Sequence, residues 1–277
     1  MRQRNTLVRN TILSIASIIY FIPIYIAFVN AFKREEDILR NPIGIPFGRL
    51  DIGQFVGNAF NPSFNVLQAY WTTIGIVGIS IFGIILSTTM LSYVMSRNPK
   101  NRFFGVFNVL LLAGLIIPPQ VILLSIVQIL KEMNLMFTWR GLILRNIGWY
   151  VPFSCFLYIG YIKTIPRELD ESAYIDGATV FQIFSKIIFP LIKPASASVF
   201  IFSFLWIWND FLNPQIILGS KGGYTVTTGI YRAVGQYNTA WDQIFSLVVW
   251  ASFPVLLMFF LMQRNFISGL TAGSIKG

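Results

Sequence analysis

Residues 170–194 read DESAYIDGATVFQIFSKIIFPLIKP, a stretch in which acidic residues give way to an amphipathic run between two long apolar segments. The acids of this region are Glu168, Asp170, Glu171 and Asp176. Pro166 suits the first turn of a helix, and acids in the following turns interact favourably with the helix dipole. The sequence therefore predicts a short helix that begins near Pro166.

A second helix is predicted directly after the first. Gly177 accepts the left-handed backbone with which many helices end. Thr179 and Gln182 have the spacing of a capping box, which starts a new helix. Ser172 and Ala173 are small, so a partner could approach the first helix closely. We expect a helix, a glycine bend and a second helix that continues into the next apolar run.

Two surfaces could receive this segment, namely another protein or the headgroups of a lipid bilayer. Helices that rest on lipid favour Lys and Arg, and anionic headgroups would repel the acids. Docking on a protein is the favoured interpretation, and an interfacial helix on lipid is the alternative.

The composition indicates that the rest of the chain lies in a bilayer. Hydrophobic residues make up 55% of the 277 residues, and charged residues make up 12%. A soluble domain usually carries about 25% charged residues. Long apolar runs without alternation favour helices over barrel strands. We therefore predict an all-α membrane protein.

Six apolar runs have the length of a membrane span, near residues 11–32, 69–95, 103–130, 146–163, 187–211 and 243–262. The first is too long for a signal peptide and lacks a cleavage site, so an uncleaved span is predicted. Pro118 and Pro119 lie midway along the third run and predict a kink, which could line a pathway or serve only packing.

Basic residues choose the orientation. Groups without neighbouring acids favour the cytoplasmic side, and they comprise Arg2, Arg4, Arg9, Arg97, Lys100 and Arg102. The opposite side would carry Lys131, Arg140 and Arg145, so the orientation is favoured rather than forced. Six transmembrane helices in this orientation place both termini, and residues 164–186, in the cytoplasm.

Several function classes are excluded by what the sequence lacks. It has one cysteine, Cys155, and no histidine, which excludes the common zinc sites and the Ser-His and Cys-His catalytic pairs. Its basic residues form no stripe with interleaved aromatics, so no nucleic acid partner is expected. No catalytic residue and no metal site is predicted, although a membrane enzyme stays a weaker alternative. A secondary transporter or channel is the other alternative, but no acid lies near mid-depth in a span.

The opening stretch resembles the EAA loop of ABC importer permeases. That pattern is E-A-A, three residues, G, nine residues and I-x-L-P. Here it is Glu171-Ser172-Ala173, Gly177 and Ile187-Ile188-Phe189-Pro190. Ser172 replaces an alanine and Phe189 replaces the leucine, and the spacing is kept throughout.

The resemblance extends over nearly the whole chain, to the carbohydrate branch and its maltose-type second permeases. Asp176-Gly177-Ala178 continues the loop as in that branch, and Trp208-Asn209-Asp210-Phe211 is similar to its W-N-E/D-F. The tail Gly269–Gly277 is similar to its terminal G-x-x-x-G-x-x-K-G. The fold implied is the type I importer permease (MetI-like) fold. Its parts would be an N-terminal tail, first span and outer segment at 1–68, a permease domain at 69–263 with the EAA loop at about 166–190, and a cytoplasmic tail at 264–277.

This resemblance implies a subunit of an ATP-driven sugar importer in the prokaryotic cell membrane. The implied partners are a second homologous permease, two ATP-binding cassette ATPase subunits and an extracellular solute-binding protein. ATP and Mg²⁺ would be bound by the ATPase, because this chain has no G-x-x-x-x-G-K-S/T loop. The coupling residues implied are Glu171, Ser172, Ala173, Asp176, Gly177, Ala178, Ile187 and Pro190.

The solute site is less defined by the sequence. Sugars have apolar faces and many hydroxyls, so aromatic, amide and hydroxyl side chains are the candidates: Ser154, Tyr158, Trp206 and Asn209. The partner permease could supply most of the site, and polyols or glycerol phosphodiesters stay open as solutes. The outer connection at 213–241, with Tyr224, Tyr231 and Tyr237, is expected to contact the binding protein, and the C-terminal tail to touch the ATPase pair.

Overall fold

The structure is a computed structural model that describes residues 2–46, 50–61, 64–233 and 240–272. Its long helices are α1 (Arg2–Asn30), α4 (Val66–Arg97), α5 (Arg102–Ile116), α7 (Trp139–Ile162), α11 (Lys193–Trp208) and α14 (Trp241–Ala272). The shorter ones are α2 (Glu35–Arg40), α3 (Ile52–Ala59), α6 (Leu123–Glu132), α8 (Glu168–Ile175), α9 (Val180–Ile183), a π-helical turn (Phe184–Ile188), α10 (Phe189–Leu191), α12 (Leu212–Ile217) and α13 (Val226–Ala233).

Helices thus form almost all the regular structure in the described ranges, as predicted. The strands found there are β1 (Phe60–Asn61) and β2 (Phe64–Asn65), which pair antiparallel with Phe60 opposite Asn65. The chain divides into two compact units, one of residues 1–70 and 226–257 and the other of residues 71–225 and 258–277.

Four helices are long and apolar enough to cross a membrane: Arg9–Asn30, Val66–Arg97, Trp139–Ile162 and Trp241–Gln263. They correspond to the first, second, fourth and sixth predicted spans. The fourth begins earlier than the predicted residue 146, because Thr138 caps it by accepting a hydrogen bond from the Gly141 N–H. Arg145 therefore lies inside a helix and not in a loop.

The third predicted span is interrupted, so the prediction of a single kinked helix there is wrong. Helix α5 ends at Ile116 and α6 begins only at Leu123. The residue before a proline is disfavoured in the helical region, and Ile117, which precedes Pro118, is extended at φ −73° and ψ 123°. The 15 residues of α5 measure about 22 Å, less than the roughly 30 Å of a hydrocarbon core.

The fifth predicted span is bent. Val180–Leu191 and Lys193–Trp208 are long and apolar enough to cross a membrane only if they are taken together. The chain bends by 71° between them. Pro190 and Pro194 flank the bend, and each lacks the N–H that a helix interior requires. Four spans, or five if this bent pair counts as one, are therefore present in the described residues.

The unit of residues 71–225 and 258–277 has its core between its helices. One cluster of buried residues joins α4, α6, α7 and α12 through Ile76, Leu130, Leu142, Ile217 and Leu218. A second cluster joins α4, α5 and α7 through Met95, Leu111 and Cys155. Helices α4 and α7 both take part in each cluster, so together they organise this unit.

The unit of residues 1–70 and 226–257 is held by aromatic and polar contacts. Phe55 lies 4.5 Å from Phe32 and 5.3 Å from Trp250 between ring centroids. Gln54 and Asn58 on α3 donate to the carboxylate of Asp242. At the start of α3, the Gln54 backbone N–H and the Arg34 side chain hold the pKa of Asp51 below its usual value.

Two glycines of α7 allow a matched test of how closely this helix packs on its surroundings. A Cβ at Gly141 would collide with the backbone carbonyl oxygen of Leu135, whereas a Cβ at Gly148 would meet nothing within 4 Å. We expect Gly141→Ala to lower the free energy of unfolding by about 1–3 kcal/mol and Gly148→Ala to leave it unchanged or raise it slightly. Thermal unfolding of the two purified variants in detergent measures this, and equal melting temperatures would contradict the packing described.

Candidate functional site

The segment after α7 forms the predicted helix, bend and helix. Helix α8 begins at Glu168, with Pro166 outside it and Arg167 at the N-cap position, so Pro166 does not form part of its first turn. The helix ends in a Schellman motif, in which the Ala178 N–H donates to Ala173 O and the Gly177 N–H donates to Tyr174 O, both at 3.0 Å. Gly177 has φ +82°, the left-handed backbone that was predicted.

The capping box is also confirmed. The Thr179 Oγ1 accepts from the Gln182 N–H at 3.3 Å, and the Gln182 side chain accepts from the Thr179 N–H at 2.8 Å. Helix α9 starts there and leads through the π-helical turn toward the bend at Ile192. The direction of the chain between α8 and α11 is therefore fixed by hydrogen bonds at residues 173–182.

Helix α8 is fastened to the end of α4 by an ion pair that sequence reasoning missed. Arg97 Nη2 lies 2.6 Å from Asp170 Oδ2, and Tyr93 Oη donates to Asp170 Oδ1 at 2.7 Å. Arg97 also donates to the carbonyl oxygen of Ile165 at 3.2 Å. Both charged side chains are largely buried, at 13% and 16% exposure. In the sequence analysis, Arg97 is used only to predict the orientation. The absence of acidic residues near Arg97 in the chain is the signal that its partner lies elsewhere.

The predicted coupling residues lie on this segment with different exposure. Ala173 is buried, Ala178 and Ile187 are half-buried, and the exposed ones are Glu171, Ser172, Asp176, Gly177 and Pro190. The exposed surface also carries large apolar side chains that the EAA pattern does not include. They are Tyr174 at 69%, Ile175 at 84%, Val180 at 60% and Phe181 at 67% exposure. We call these four residues the apolar patch.

A cavity of about 540 Å³ lies among α5, α6, α7, α11 and α12. Its aromatic wall consists of Trp149, Tyr150, Phe153 and Trp206. Tyr150 and Trp206 stack with centroids 5.4 Å apart, and Phe153 meets Trp206 edge to face at 4.7 Å. Its polar wall consists of Gln120, Arg145, Asp210 and Asn213.

Of the four solute-site residues proposed from the sequence, the cavity includes one, Trp206. Ser154 is fully buried, and its Oγ has no partner in the described part of the chain. Tyr158 is also fully buried and donates to Ser196 Oγ at 3.0 Å. Asn209 is exposed and donates to the carbonyl oxygen of Leu205 at 2.8 Å. These three residues therefore lie outside the cavity wall.

Arg145 is the charged residue that sequence reasoning missed in this cavity. Its side chain is 3% exposed, and Nη1 lies 3.6 Å from Asp210 Oδ2 and donates to Asn146 Oδ1 at 3.2 Å. Its guanidinium lies 5.4 Å from the ring centroid of Trp149. Asp210 in turn accepts from the side chain of Asn213 at 2.8 Å. A basic residue inside an apolar run was the signal that could have found it.

Other predicted elements are placed less fully. Gly219 and Gly223 have φ +55° and +91° in the turn that follows α12. Residues 234–239, with Tyr237, and residues 273–277 of the tail motif lie outside the described residues. Across the described ranges, no group of three or more His, Cys, Asp or Glu residues could hold a metal ion.

Comparison with protein families identifies the class. Residues 87–271 match the family of binding-protein-dependent transport system inner membrane components. The chain belongs to this family. It is therefore the membrane-embedded permease of an importer and not its ATPase subunit.

The permease has full-length relatives named for sugars. It is 30% identical to the multiple sugar-binding transport system permease protein MsmG of Streptococcus mutans, over 96% of this chain and 95% of the relative. It is also 30% identical to the melibiose/raffinose/stachyose import permease protein MelC of Bacillus subtilis, over all of both chains.

A solved structure shows the same fold. A chain of a bacterial ABC transporter involved in the import of the acidic polysaccharide alginate superposes on the permease with a TM-score of 0.82. The alignment covers 95% of this chain and 97% of the other, at 17% identity. The likeness supports the permease fold alone.

The ion pair between Arg97 and Asp170 can be tested by removing one charge. Asp170→Asn leaves a largely buried guanidinium without its carboxylate, and we expect a loss of about 2 kcal/mol in stability. Glu168→Gln removes the same charge from an exposed position in the same turn, where no ion pair exists among the described residues, and should change stability by less than about 0.5 kcal/mol. Thermal unfolding measures both.

The double variant Arg97→Gln/Asp170→Asn provides the control for this pair. Removing both charges should cost less than the sum of the two single substitutions. If the costs simply add, Arg97 and Asp170 do not stabilise one another.

Proposed function

We propose that this permease forms the translocation pathway of an ATP-driven sugar importer together with a second, homologous permease. Two ATP-binding cassette ATPase subunits and an extracellular solute-binding protein complete the assembly, and the ATPases bind ATP and Mg²⁺. The family supports an importer that depends on a binding protein, and the names of full-length relatives support sugar as the solute. The observation that carries the coupling role is the exposed apolar patch beside the EAA residues.

The proposed topology has six crossings, with both termini in the cytoplasm. Four long helices and one bent pair supply five crossings. The sixth would be made by α5 together with the interrupted stretch that follows it. The basic residues Arg97, Lys100 and Arg102 between α4 and α5 favour the cytoplasmic side, and α8 is tied to Arg97.

The apolar patch is the part of this surface that needs a partner. Ile175 is 84% exposed and Phe181 is 67% exposed. Burial of such a side chain against a partner contributes about 1.5–3 kcal/mol of favourable free energy. The acids Glu171 and Asp176 beside it would repel an anionic bilayer surface. A groove on an ATPase subunit therefore suits this surface better than lipid does.

Motion of the ATPase would reach the spans through two rigid connections. Asp170 joins α8 to Arg97 at the end of α4, and the capping box joins the bend to α9. Because Gly177 fixes the angle between them, α8 and α9 would move as one lever when the ATPase pair closes and reopens.

Ile175→Asp tests docking of the apolar patch. A charge placed in an apolar groove must be desolvated, so we expect the ATPase that co-purifies with the permease to fall at least tenfold. Asn98→Asp adds an acid at an exposed site of the α4–α5 connection and should leave co-purification unchanged. Quantitative pull-down from membranes that contain both permeases and the ATPase measures this. Equal ATPase recovery with Ile175→Asp and wild type would exclude the apolar patch as the docking surface.

Asp170→Asn should separate docking from coupling. The apolar patch is unchanged, so we expect the ATPase to stay bound, but the lever is no longer fixed to α4. Sugar uptake per ATP hydrolysed by reconstituted importers should therefore fall several-fold, while Glu168→Gln behaves as wild type. Wild-type stoichiometry in Asp170→Asn would show that coupling does not pass through this ion pair.

A further inference from the structure

We propose that the cavity of this chain is itself a binding subsite for one neutral glycosyl unit, with the Arg145–Asp210 pair as the element that rejects acidic sugars. The inference rests on the proposed function, because it takes the solute to be a sugar. It goes beyond the proposed function because it assigns part of the solute site to this permease and not to its partner alone.

The size and lining of the cavity suit a sugar. Its volume of about 540 Å³ lies in the range of small-molecule sites, which combine mainly apolar walls with a few fixed polar groups. Trp206 is 40% exposed, stacks on Tyr150 and contacts Phe153 edge to face. Its flat ring therefore has a fixed orientation against which the apolar face of a pyranose can stack.

The polar wall offers both donors and an acceptor. Arg145 carries five N–H donors, and its contacts with Asn146 and Asp210 both involve Nη1. Arg145 Nε is buried and has no acceptor in the part of the chain that the structure describes. The gap of 3.6 Å to Asp210 exceeds hydrogen-bond distance. A pair of neighbouring sugar hydroxyls could bridge it, one accepting from the guanidinium and the other donating to the carboxylate.

The charges predict which sugars are accepted. Arg145 and Asp210 together carry no net charge, so a neutral sugar enters without an unbalanced charge. A uronate would gain an attraction to Arg145 but would bring a second carboxylate close to Asp210. Like charges repel, so the carboxylate of Asp210 disfavours acidic sugars.

The test uses the two permeases and the two ATPase subunits together in lipid nanodiscs, and the binding protein is left out because it would bind the sugar itself. Equilibrium binding is measured for the radiolabelled neutral probes maltotriose, raffinose and arabinotriose and for the acidic probe digalacturonate. We expect at least one neutral probe to bind and digalacturonate to bind at least tenfold more weakly. Binding of no neutral probe to the wild-type complex would overturn the proposal.

Three variants decide whether this chain holds the bound sugar. Trp206→Ala should remove one bound sugar per complex or weaken its binding at least tenfold. Trp71→Ala replaces a tryptophan that is 75% exposed and lies outside the cavity lining, so it should bind as wild type does. Asp210→Asn leaves the Arg145 charge without compensation and should raise binding of digalacturonate relative to the neutral probe.

The outcomes separate this subsite from the proposed importer function. Co-purification of the ATPase is measured on the same preparations. If no ATPase is recovered with the wild-type permease, the proposed importer assembly is contradicted, while the proposed sugar subsite is not. If Trp206→Ala retains wild-type stoichiometry and affinity, the bound sugar lies elsewhere and the subsite is refuted. If Asp210→Asn leaves the preference for neutral sugars unchanged, the charge pair does not set it.

Discussion

A backbone amide in hydrocarbon has no water to bond, so it must find its partner inside the protein. This constraint explains both the long helices and the positions where they stop. The chain leaves helical geometry between α5 and α6, and again after α11. Both interruptions contribute to the cavity wall, through Gln120 at the first and through Asp210 at the second. Irregular backbone at membrane depth is tolerated where it lines a cavity, and the breaks are placed accordingly.

Within its compact unit, α7 has one ion pair near each of its ends. Arg145 near its start meets Asp210 after α11, and Asp170 beyond its end meets Arg97 of α4. From Arg145 to the end of α7 the helix runs about 25 Å. Both carboxylates lie on short segments and both guanidiniums on long helices, so each pair positions a segment that regular packing alone would leave unfixed. The cavity and the segment that carries α8 are thus linked by one continuous helix.

Local signals in the sequence predicted the local structure well. Gly177 and the Thr179–Gln182 spacing act over a few residues, so their outcome depends little on the rest of the fold. The position of the irregularity at Pro118 and Pro119 was predicted correctly, but a kink was predicted where the helix is interrupted. Two consecutive prolines remove two N–H donors and also restrict the backbone of the preceding residue. The partners of Arg97 and Arg145 could not be predicted, since each lies about 65 residues or more away along the chain. Among the solute-site candidates, residue type alone could not distinguish the wall position of Trp206 from the packed positions of Ser154 and Tyr158.

The end of α8 depends on the left-handed backbone conformation of one residue, Gly177. No atom lies within 4 Å of where a Cβ would stand on Gly177, and φ there is +82°. Substitution at this position is therefore limited by the sign of a dihedral angle and hardly by volume. A D-amino acid favours the very region that an L-residue avoids, so even a bulky D-residue would keep the bend, while the smallest L-residue would strain it. The angle between α8 and α9 thus depends on a residue without an L-side chain at position 177.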